Sequence, residues 1–239
     1  MARPVLSFII PTLNEENVLP LHLAQYRNLH IPHEVIVADG GSLDKTRDIA
    51  REHGALVYLN KGKQTIGSNR NIGAAHASAN IYIFCDADTR FDGINNFAME
   101  VVEAFKDPEV VAGMPRIRVF PEQRIGADKV YHYFYNNAIR LSFRTPMALG
   151  SGQCQIVRAS TFRGIGGYPH DQIHGEDSTL FRELKKRGRL VYFVNQTILE
   201  SPRRYRHYGY LKFLSISTSS LVGQSLLKRN ILKEWKRVG

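Results

Sequence analysis

The 239 residues are 43% hydrophobic and 23% charged, which is enough apolar content for one α/β domain with a well-buried core. The two cysteines, Cys85 and Cys154, both lie in apolar segments, so the sequence supports neither a disulfide framework nor a thiolate zinc site and indicates a reducing cytoplasm. The net charge of +10 is concentrated in residues 201–239, where nine lysines and arginines accompany a single glutamate.

The ends of the chain give no sign of export or of a membrane span. Residues 1–4 lead into an apolar run too short for a signal peptide, and no run of about 18 uncharged apolar residues follows. We therefore expect a cytoplasmic protein. The basic segment 201–239 suits contact with nucleic acid, anionic lipid or a phosphorylated substrate, and it is equally compatible with a solvated helix face.

Apolar runs alternate with helical patterns through the first half of the chain, which predicts β-α-β units and a mostly parallel sheet. The predicted strands are Val5–Ile10, Glu34–Ala38, Ala55–Leu59 and Ile81–Cys85; the predicted helices are one ending near Asn28, then Leu43–His53, Ile66–Ala77 and Ile94–Phe105. A polar loop follows each strand. Because parallel strands end at the same edge of a sheet, these loops should lie together.

The second half is less regular, and we expect it to build the other wall of a cleft. The predicted strands are Val110–Met114, Ile117–Phe120, Gln155–Val157 and Leu190–Val194, with a turn at Gly150–Gly152; the predicted helices are Ala127–Leu141 and one from Asp177 to a stop at Gly188. The first of these helices is rich in aromatic residues, which could be core or could line a binding site.

Asp86-Ala87-Asp88 directly follows the apolar run Ile81–Cys85. Two carboxylates delivered to the carboxyl end of a strand place hard oxygen ligands where open α/β sheets bind their ligands. Taken alone, such a pair more often only ends a strand and solvates a turn. Here further polar loops are predicted at the same edge.

Three other loops contribute polar groups to this edge, namely Pro11–Glu15, Asp39–Ser42 and Gly175–Asp177. Each has an alternative structural explanation. Thr12, Asn14 and Asp39 are residue types that cap helices and form turns, and Glu176 and Asp177 open a helix, where acids are favoured by the free N–H groups. Capping and ligand binding do not exclude each other.

The stretches Ser7–Glu15, Val35–Ser42 and Asp86–Asp88, followed by Gly166–Tyr168 and Glu176-Asp177, occur in an order and spacing that closely resemble the family 2 glycosyltransferases, over roughly residues 5–200. The resemblance implies a GT-A fold, an open, mixed, mostly parallel α/β sheet flanked by helices. It implies a catalytic domain over residues 1–200, with a nucleotide-sugar-binding half (1–115) and an acceptor-side half (116–200). Residues 201–239 would form a basic, amphipathic, helical extension.

The same resemblance implies a metal-dependent transferase that moves a sugar from a nucleotide-diphosphate sugar to an acceptor hydroxyl or phosphate, usually with inversion. Asp177 would be the catalytic base, Gly175 and Glu176 would lie on the acceptor side, and Asp88 would hold Mg²⁺ or Mn²⁺. The residues assigned to the donor are Pro11, Thr12, Asn14, Glu15, Asp39, Gly40, Arg70, Asp86, Ala87 and Asp88. His207 is a weaker metal-ligand candidate, because a histidine among tyrosines is more often a packed surface residue.

The acceptor is not named by these motifs. Leu211–Leu227 is amphipathic and precedes Lys228-Arg229, which suits an interfacial helix on the cytoplasmic membrane face and a lipid-linked acceptor such as a polyprenyl phosphate. A nucleic-acid-binding module is the alternative from another class, although carboxylates at strand ends repel phosphates unless a metal intervenes, so no nucleic acid is expected. A sugar-nucleotide-binding protein without turnover is a third alternative. The oligomeric state is left open.

Overall fold

A computed structural model describes residues 3–62, 65–170, 172 and 175–210. Its strands are β1 Leu6–Thr12, β2 His33–Asp39, β3 Leu56–Leu59, β4 Ile81–Cys85, β5 Arg90–Phe91, β6 Val110–Val119, β7 Cys154–Arg158 and β8 Arg189–Glu200. Its helices are α1 Leu19–Ala24, α2 Thr46–Glu52, α3 Ile66–His76, α4 Ile94–Ala104, α5 Gly126–Ser142, α6 Ala159–Gly164, α7 Glu176–Lys185 and α8 Arg203–Tyr208, and a 3₁₀ turn, Gln25–Asn28, follows α1.

These strands form one sheet in the order β3-β2-β1-β4-β7-β6-β8-β5. β1 runs parallel to β2 and β4, and β2 runs parallel to β3. β7 is antiparallel to both β4 and β6, β6 is parallel to β8, and β5 is antiparallel to β8. The predicted α/β fold with an open, mixed and mostly parallel sheet is therefore confirmed.

The centre of the sheet is buried on both faces, which explains the continuous apolar run of β4. Ile81 is 6% exposed and the four residues after it are fully buried. Helix α3 packs directly on the neighbouring strand β1, where a Cβ at Gly73 would lie 2.4 Å from Cγ2 of Ile9. The glycine allows this close approach, which brings α3 against the β1–β2 part of the sheet.

The structure differs from the prediction mainly in the second half. The two predicted strands Val110–Met114 and Ile117–Phe120 are one strand, β6, whose pairing with β8 shifts register between Pro115 and Arg116. Proline lacks an N–H donor and favours such an irregularity, so the sequence pattern predicts two strands where the structure has one. The two-residue strand β5 and the short helix α6 were not predicted.

The amphipathic stretch Leu211–Leu227 lies outside the described residues, and so does most of the predicted basic extension. The described residues include the start of this extension, which is the short helix α8. No helix in the described part of the chain is both long enough and apolar enough to cross a bilayer. The division of residues 1–200 into two halves stays a prediction.

Candidate active site

Asp39 organises the loop after β2 with a fully buried side chain. Thr12 Oγ1 donates to its Oδ2 at 3.0 Å, and the backbone N–H groups of Gly41 and Ser42 donate to its Oδ1 at 3.1 and 2.9 Å. The Ser42 hydroxyl also donates to Oδ2. Gly40 N–H donates to the Thr12 carbonyl at 2.8 Å. The ends of β1 and β2 are thus joined, and contact of Thr12, Asp39 and Gly40 with the nucleotide-sugar donor stays a prediction.

The loop after β1 is tied to the loop after β2. Asn14, at φ 55°, adopts the left-handed conformation that asparagine tolerates. Its N–H donates to Ser42 Oγ at 2.8 Å, and its Oδ1 accepts from the Leu43 N–H at 2.8 Å. The Glu15 N–H donates to Thr46 Oγ1 at 2.8 Å. The loop-forming roles of Asn14 and Asp39 are therefore seen directly, and their hydrogen bonds hold the loops after β1 and β2 together.

Arg70 joins the two acidic motifs of the candidate site. Its side chain, 1% exposed, donates from Nη1 to Asp177 Oδ1 at 2.7 Å and from Nη2 to Asp86 Oδ1 at 2.9 Å. Nη2 also donates to the Gly152 carbonyl at 2.9 Å, and Glu176 Oε1 lies 3.8 Å from Nη1. The structure therefore brings Asp86, Glu176 and Asp177 around one buried guanidinium.

The charge of Arg70 is maintained by its neighbours. Burial opposes the charged form, but Tyr168, Asp177 and Asp86 raise the pKa of Arg70 further above its ordinary value. The guanidinium carbon also lies 5.4 Å from the centre of the Tyr168 ring, a cation–π distance. In the structure Arg70 holds carboxylates, and its predicted contact with the donor stays a prediction.

The Asp177 carboxylate is held in place through hydrogen bonds to its Oδ1 oxygen. Oδ1 accepts from Arg70 and, at 2.6 Å, from Nε2 of Gln155, which is fully buried. The Tyr168 hydroxyl donates to Gln155 Oε1, so the amide orientation is fixed. A Cβ at Gly152 would lie 3.2 Å from Asp177 Oδ2 and 3.7 Å from Asp86 Oδ2. It would also lie 3.0 Å from Nη2 of Arg70, so a side chain at position 152 would crowd the cluster of Arg70 and the two carboxylates.

Glu176 differs from Asp177 although both belong to the first turn of α7. Its side chain is buried, and burial followed by the charge of Asp177 raises its pKa to about 8, against a smaller opposing effect of Arg70. At neutral pH Glu176 is therefore mainly protonated and uncharged. The helix begins after Gly175, whose φ of 75° sets the turn into it.

Glu176 makes the stability of the protein fall as the pH rises. The pKa of Glu176 is about 8 in the folded protein and has the ordinary value of 4.5 in the unfolded chain, so between these pH values the folded state binds more protons. Each pKa unit of difference lowers the free energy of unfolding by about 1.4 kcal/mol once the pH is high enough to ionise Glu176 in the folded state. We expect Glu176→Gln to melt above the parent at pH 9, by about 2–4 °C for each kcal/mol, with the difference shrinking towards pH 5.

Melting curves between pH 5 and 9 measure this effect. Glu183→Gln, on the exposed side of the same helix, is the matched control and should follow the parent curve at every pH. A constant offset between Glu176→Gln and the parent across this range would contradict the shifted pKa.

Asp88 points to a different partner from Asp86. Its side chain is 33% exposed, and its Oδ2 lies 3.2 Å from Nη2 of Arg203 in α8. Both residues line a cavity of about 310 Å³ next to Ala87 and His22. His207 lies on the same short helix as Arg203, with an exposed side chain.

A comparison with known sequences decides the family. The family model described as glycosyl transferase family 2 matches residues 7–166. This chain belongs to glycosyl transferase family 2. The resemblance drawn from the motifs is thereby confirmed.

Curated relatives of this family 2 chain are longer than the region they share with it. It is 27% identical over 224 residues to the succinoglycan biosynthesis protein ExoA of Rhizobium meliloti, across 84% of this chain and 66% of ExoA. It is 39% identical over 103 residues to the 4,4'-diaponeurosporenoate glycosyltransferase of Staphylococcus haemolyticus, across 41% of this chain and 27% of that protein. The chain thus spans 66% or less of these relatives.

Solved structures confirm the GT-A fold of this family 2 chain. The mannosyltransferase PcManGT of Pyrobaculum calidifontis, in complex with GDP-Man and Mn²⁺, superposes with a TM-score of 0.71 at 22% identity over 95% of this chain and 64% of that one. Glucosyl-3-phosphoglycerate synthase of Mycobacterium tuberculosis, in complex with Mn²⁺, UDP and glucosyl-3-phosphoglycerate, gives a TM-score of 0.63 at 18% identity over 97% and 82%. At these identities the similarity establishes the fold.

Two residues of the family 2 site were missed by the sequence analysis. Gln155 orients Asp177, and Gly152 approaches Arg70 and Asp177 so closely that a side chain there would crowd them. The predicted turn at Gly150–Gly152 was the available signal, because a Gly-Ser-Gly turn facing the acidic loops can mark a close approach of backbone to a ligand. Nothing in the local sequence distinguishes Gln155 from an ordinary residue of a buried strand.

Proposed function

We propose that this chain transfers a sugar from a nucleotide-diphosphate sugar to an acceptor hydroxyl or phosphate, by a single inverting displacement with Asp177 as the base. The observation that carries the proposal is the arrangement around Arg70, which pairs with Asp86 through Nη2 and with Asp177 through Nη1 and so brings the two acidic motifs together. PcManGT with GDP-Man and the M. tuberculosis synthase with UDP support a nucleotide-sugar donor for this fold.

Asp177 is suited to accept a proton from the acceptor. Two donors, from Arg70 and Gln155, fix Oδ1, and we assign the acceptor's proton to the other oxygen, Oδ2. An inverting displacement at a sugar carbon needs such a carboxylate on the face opposite the leaving group. Glu176, mainly protonated at neutral pH, does not compete for this proton and is assigned with Gly175 to the acceptor side.

The residues present fit a divalent cation that binds together with the donor. The described residues contain no group of three or more His, Cys, Asp or Glu side chains able to hold a metal. Mg²⁺ and Mn²⁺ sites of this kind use one or two carboxylates and substrate phosphates, and the half-exposed Asp88 beside a cavity supplies one carboxylate. Such a cation neutralises charge on the leaving diphosphate.

When the donor binds, Arg203 would leave its ion pair with Asp88 and bind the diphosphate of the donor instead. A guanidinium suits a diphosphate because it can donate two parallel hydrogen bonds to it. His207 is proposed as a second metal ligand, and residues from Pro11 to Glu15, with Asp39, Gly40, Arg70, Asp86 and Ala87, as the donor site. Asp86 would face the ribose and sugar.

The acceptor is proposed to be a sugar or a lipid-linked acceptor such as a polyprenyl phosphate, with the chain attached peripherally to the cytoplasmic face of a membrane. The names of two relatives, ExoA for succinoglycan biosynthesis and the O-antigen chain rhamnosyltransferase WbaN of Salmonella anatum, support a saccharide acceptor. Aromatic residues on α5 and the basic C-terminal segment support the membrane part of the proposal.

Thermal shift with a panel of sugar nucleotides, with and without Mn²⁺, tests the donor and the metal together. A donor at 100 times its dissociation constant should stabilise the fold by about 2.7 kcal/mol. We expect this stabilisation to need the metal and to be lost in Asp88→Ala. Asp92→Ala, an exposed aspartate near the same sheet edge, is the control and should keep it. Unchanged metal-dependent stabilisation in Asp88→Ala would show that Asp88 does not hold the cation.

A further inference from the structure

Helix α5 presents an apolar ridge to solvent. Val130, Tyr133, Phe134 and Leu141 are 59%, 66%, 67% and 58% exposed, and their spacing places them on one face of the helix. Ile125 just before α5 is 51% exposed, and Met147 in the loop after it is 55% exposed. Large apolar side chains that lie together on the surface often mark an interaction site.

The other face of α5 belongs to the protein interior, so the aromatic cluster is split between two roles. The rings of Tyr131 and Tyr135 stack at 5.6 Å, and Tyr131 also stacks on Tyr205. The Tyr135 hydroxyl donates to Ser151 Oγ at 2.8 Å. Of the four aromatic residues Tyr131, Tyr133, Phe134 and Tyr135, only Tyr133 and Phe134 are exposed.

A basic groove of about 660 Å³ runs beside this ridge. Its cationic lining residues are Arg116, Arg118, Arg124, Lys129 and Arg140. None of these five forms a salt bridge within the described residues. The single acidic lining residue, Asp128, is buried and is bonded to Arg206 and Tyr210. Burial and the charges of Arg116 and Arg124 lower the pKa of Arg118, against a smaller opposing effect of Asp92, so the groove cations crowd one another.

We propose that the apolar ridge and the basic groove form one docking surface for an anionic membrane. Phe134, Leu141 and their neighbours would enter the boundary between headgroups and acyl chains, and the groove cations would bind lipid phosphates. An apolar helix face flanked by cations is the pattern of interfacial membrane helices. This inference deepens the membrane attachment proposed above by assigning it to the α5 ridge together with the basic groove, and it does not depend on the transfer reaction.

The composition of the surface favours a bilayer over other partners. A second copy of the chain would bring the same unpaired cations against each other, which is unfavourable. Single-stranded nucleic acid is bound by cations with aromatic rings on which bases stack, whereas Val130 and Leu141 are aliphatic. A lipid surface alone supplies both an apolar phase and a dense array of phosphates.

The docking surface is structurally close to the proposed base. Ser151, which accepts from Tyr135 of α5, offers its carbonyl to Gln155 Nε2 at 3.0 Å, and Gln155 donates to Asp177. A chain seated on the membrane through the ridge would therefore have α5 itself between the lipid and the side chains that lead to the base. This position suits an acceptor attached to a lipid.

Sedimentation of the full chain with vesicles tests the surface. We expect binding to phosphatidylglycerol-containing vesicles and little binding to pure phosphatidylcholine. Arg116→Gln/Arg118→Gln should weaken partitioning about 30-fold, because each cation near the surface contributes about fivefold. Phe134→Ser/Leu141→Ser should weaken it at least about tenfold. Met99→Ser and Arg51→Gln/Lys106→Gln, exposed elsewhere, are the matched controls and should bind like the parent.

Three results would overturn the proposal. The first is equal binding of both test variants and the controls, which would leave the C-terminal segment as the attachment site. The second is a loss of vesicle binding in the arginine variant alone, together with displacement of the parent chain from vesicles by soluble pyrophosphate. That result would identify a site for free phosphates or nucleic acid. The third is a shift from dimer to monomer in Phe134→Ser/Leu141→Ser during ultracentrifugation without lipid.

The donor readout separates this proposal from the proposed function. Both test variants should keep the parent's melting temperature and its metal-dependent stabilisation by the sugar nucleotide. A parent chain that binds vesicles through α5 and no sugar nucleotide would contradict the proposed function and support the docking surface.

Discussion

Substitution of Asp177 by asparagine is expected to lower kcat by about 10²–10⁴-fold, the range that a positioned general base contributes. The amide can still accept from Arg70 and Gln155 through its oxygen, so the site should keep its shape while losing the group that takes the acceptor proton. Donor binding, measured by the metal-dependent thermal shift, should change little. Initial rates of transfer, with the donor and acceptor identified by screening, measure the effect.

Two comparisons make this result specific to the base. Asp107→Asn removes a carboxylate that forms a surface ion pair with Arg189, and it should transfer at the parent's rate. Donor hydrolysis by the parent in the absence of acceptor would exclude a binding protein without turnover. An Asp177→Asn variant with the parent's kcat would show that another group accepts the proton, and Glu176 would then be the next residue to replace.

The sequence predicted those parts of the fold that depend on local patterns. Ile81–Cys85 is an uninterrupted apolar run because the strand is buried on both faces, and its bounds agree with β4. Helix α3 was predicted from Ile66 to within a residue of its end. Strand β6 was divided at Pro115 because the register shift that accommodates it depends on β8, a strand far away in the sequence.

The acidic loops of the site were predicted, but the residue that joins them was assigned differently. A pattern shows that carboxylates gather at one sheet edge, since every parallel strand ends there. It does not show that the buried Arg70 reaches Asp86 on one side and Asp177 on the other, because this depends on how close α3 lies to the sheet. The close approach at Gly73 sets that distance, and only coordinates reveal it.

Replacement of Arg70 by methionine is expected to destabilise the protein by about 3–5 kcal/mol, the cost of leaving buried charges without a partner. Methionine approximates the length of the side chain, but it leaves Asp86, Asp177 and the Gly152 carbonyl without their shared donor. Arg70→Lys should lose less, since it keeps the charge, yet an ammonium cannot match the planar fork that now reaches both carboxylates. Urea unfolding at pH 7 measures both variants.

A double-mutant cycle shows whether this loss comes from the carboxylates or from packing. If Asp86 and Arg70 interact directly, Arg70→Met/Asp86→Asn should lose less stability than the two single variants together, by about 0.5–3 kcal/mol. Arg51→Met, which breaks an exposed pair with Asp48, should change stability by less than about 1 kcal/mol. Strict additivity of Arg70→Met and Asp86→Asn would mean that Arg70 does not stabilise the protein through Asp86, which would leave its pairing with Asp177 and its packing against Tyr168 as the source of the loss.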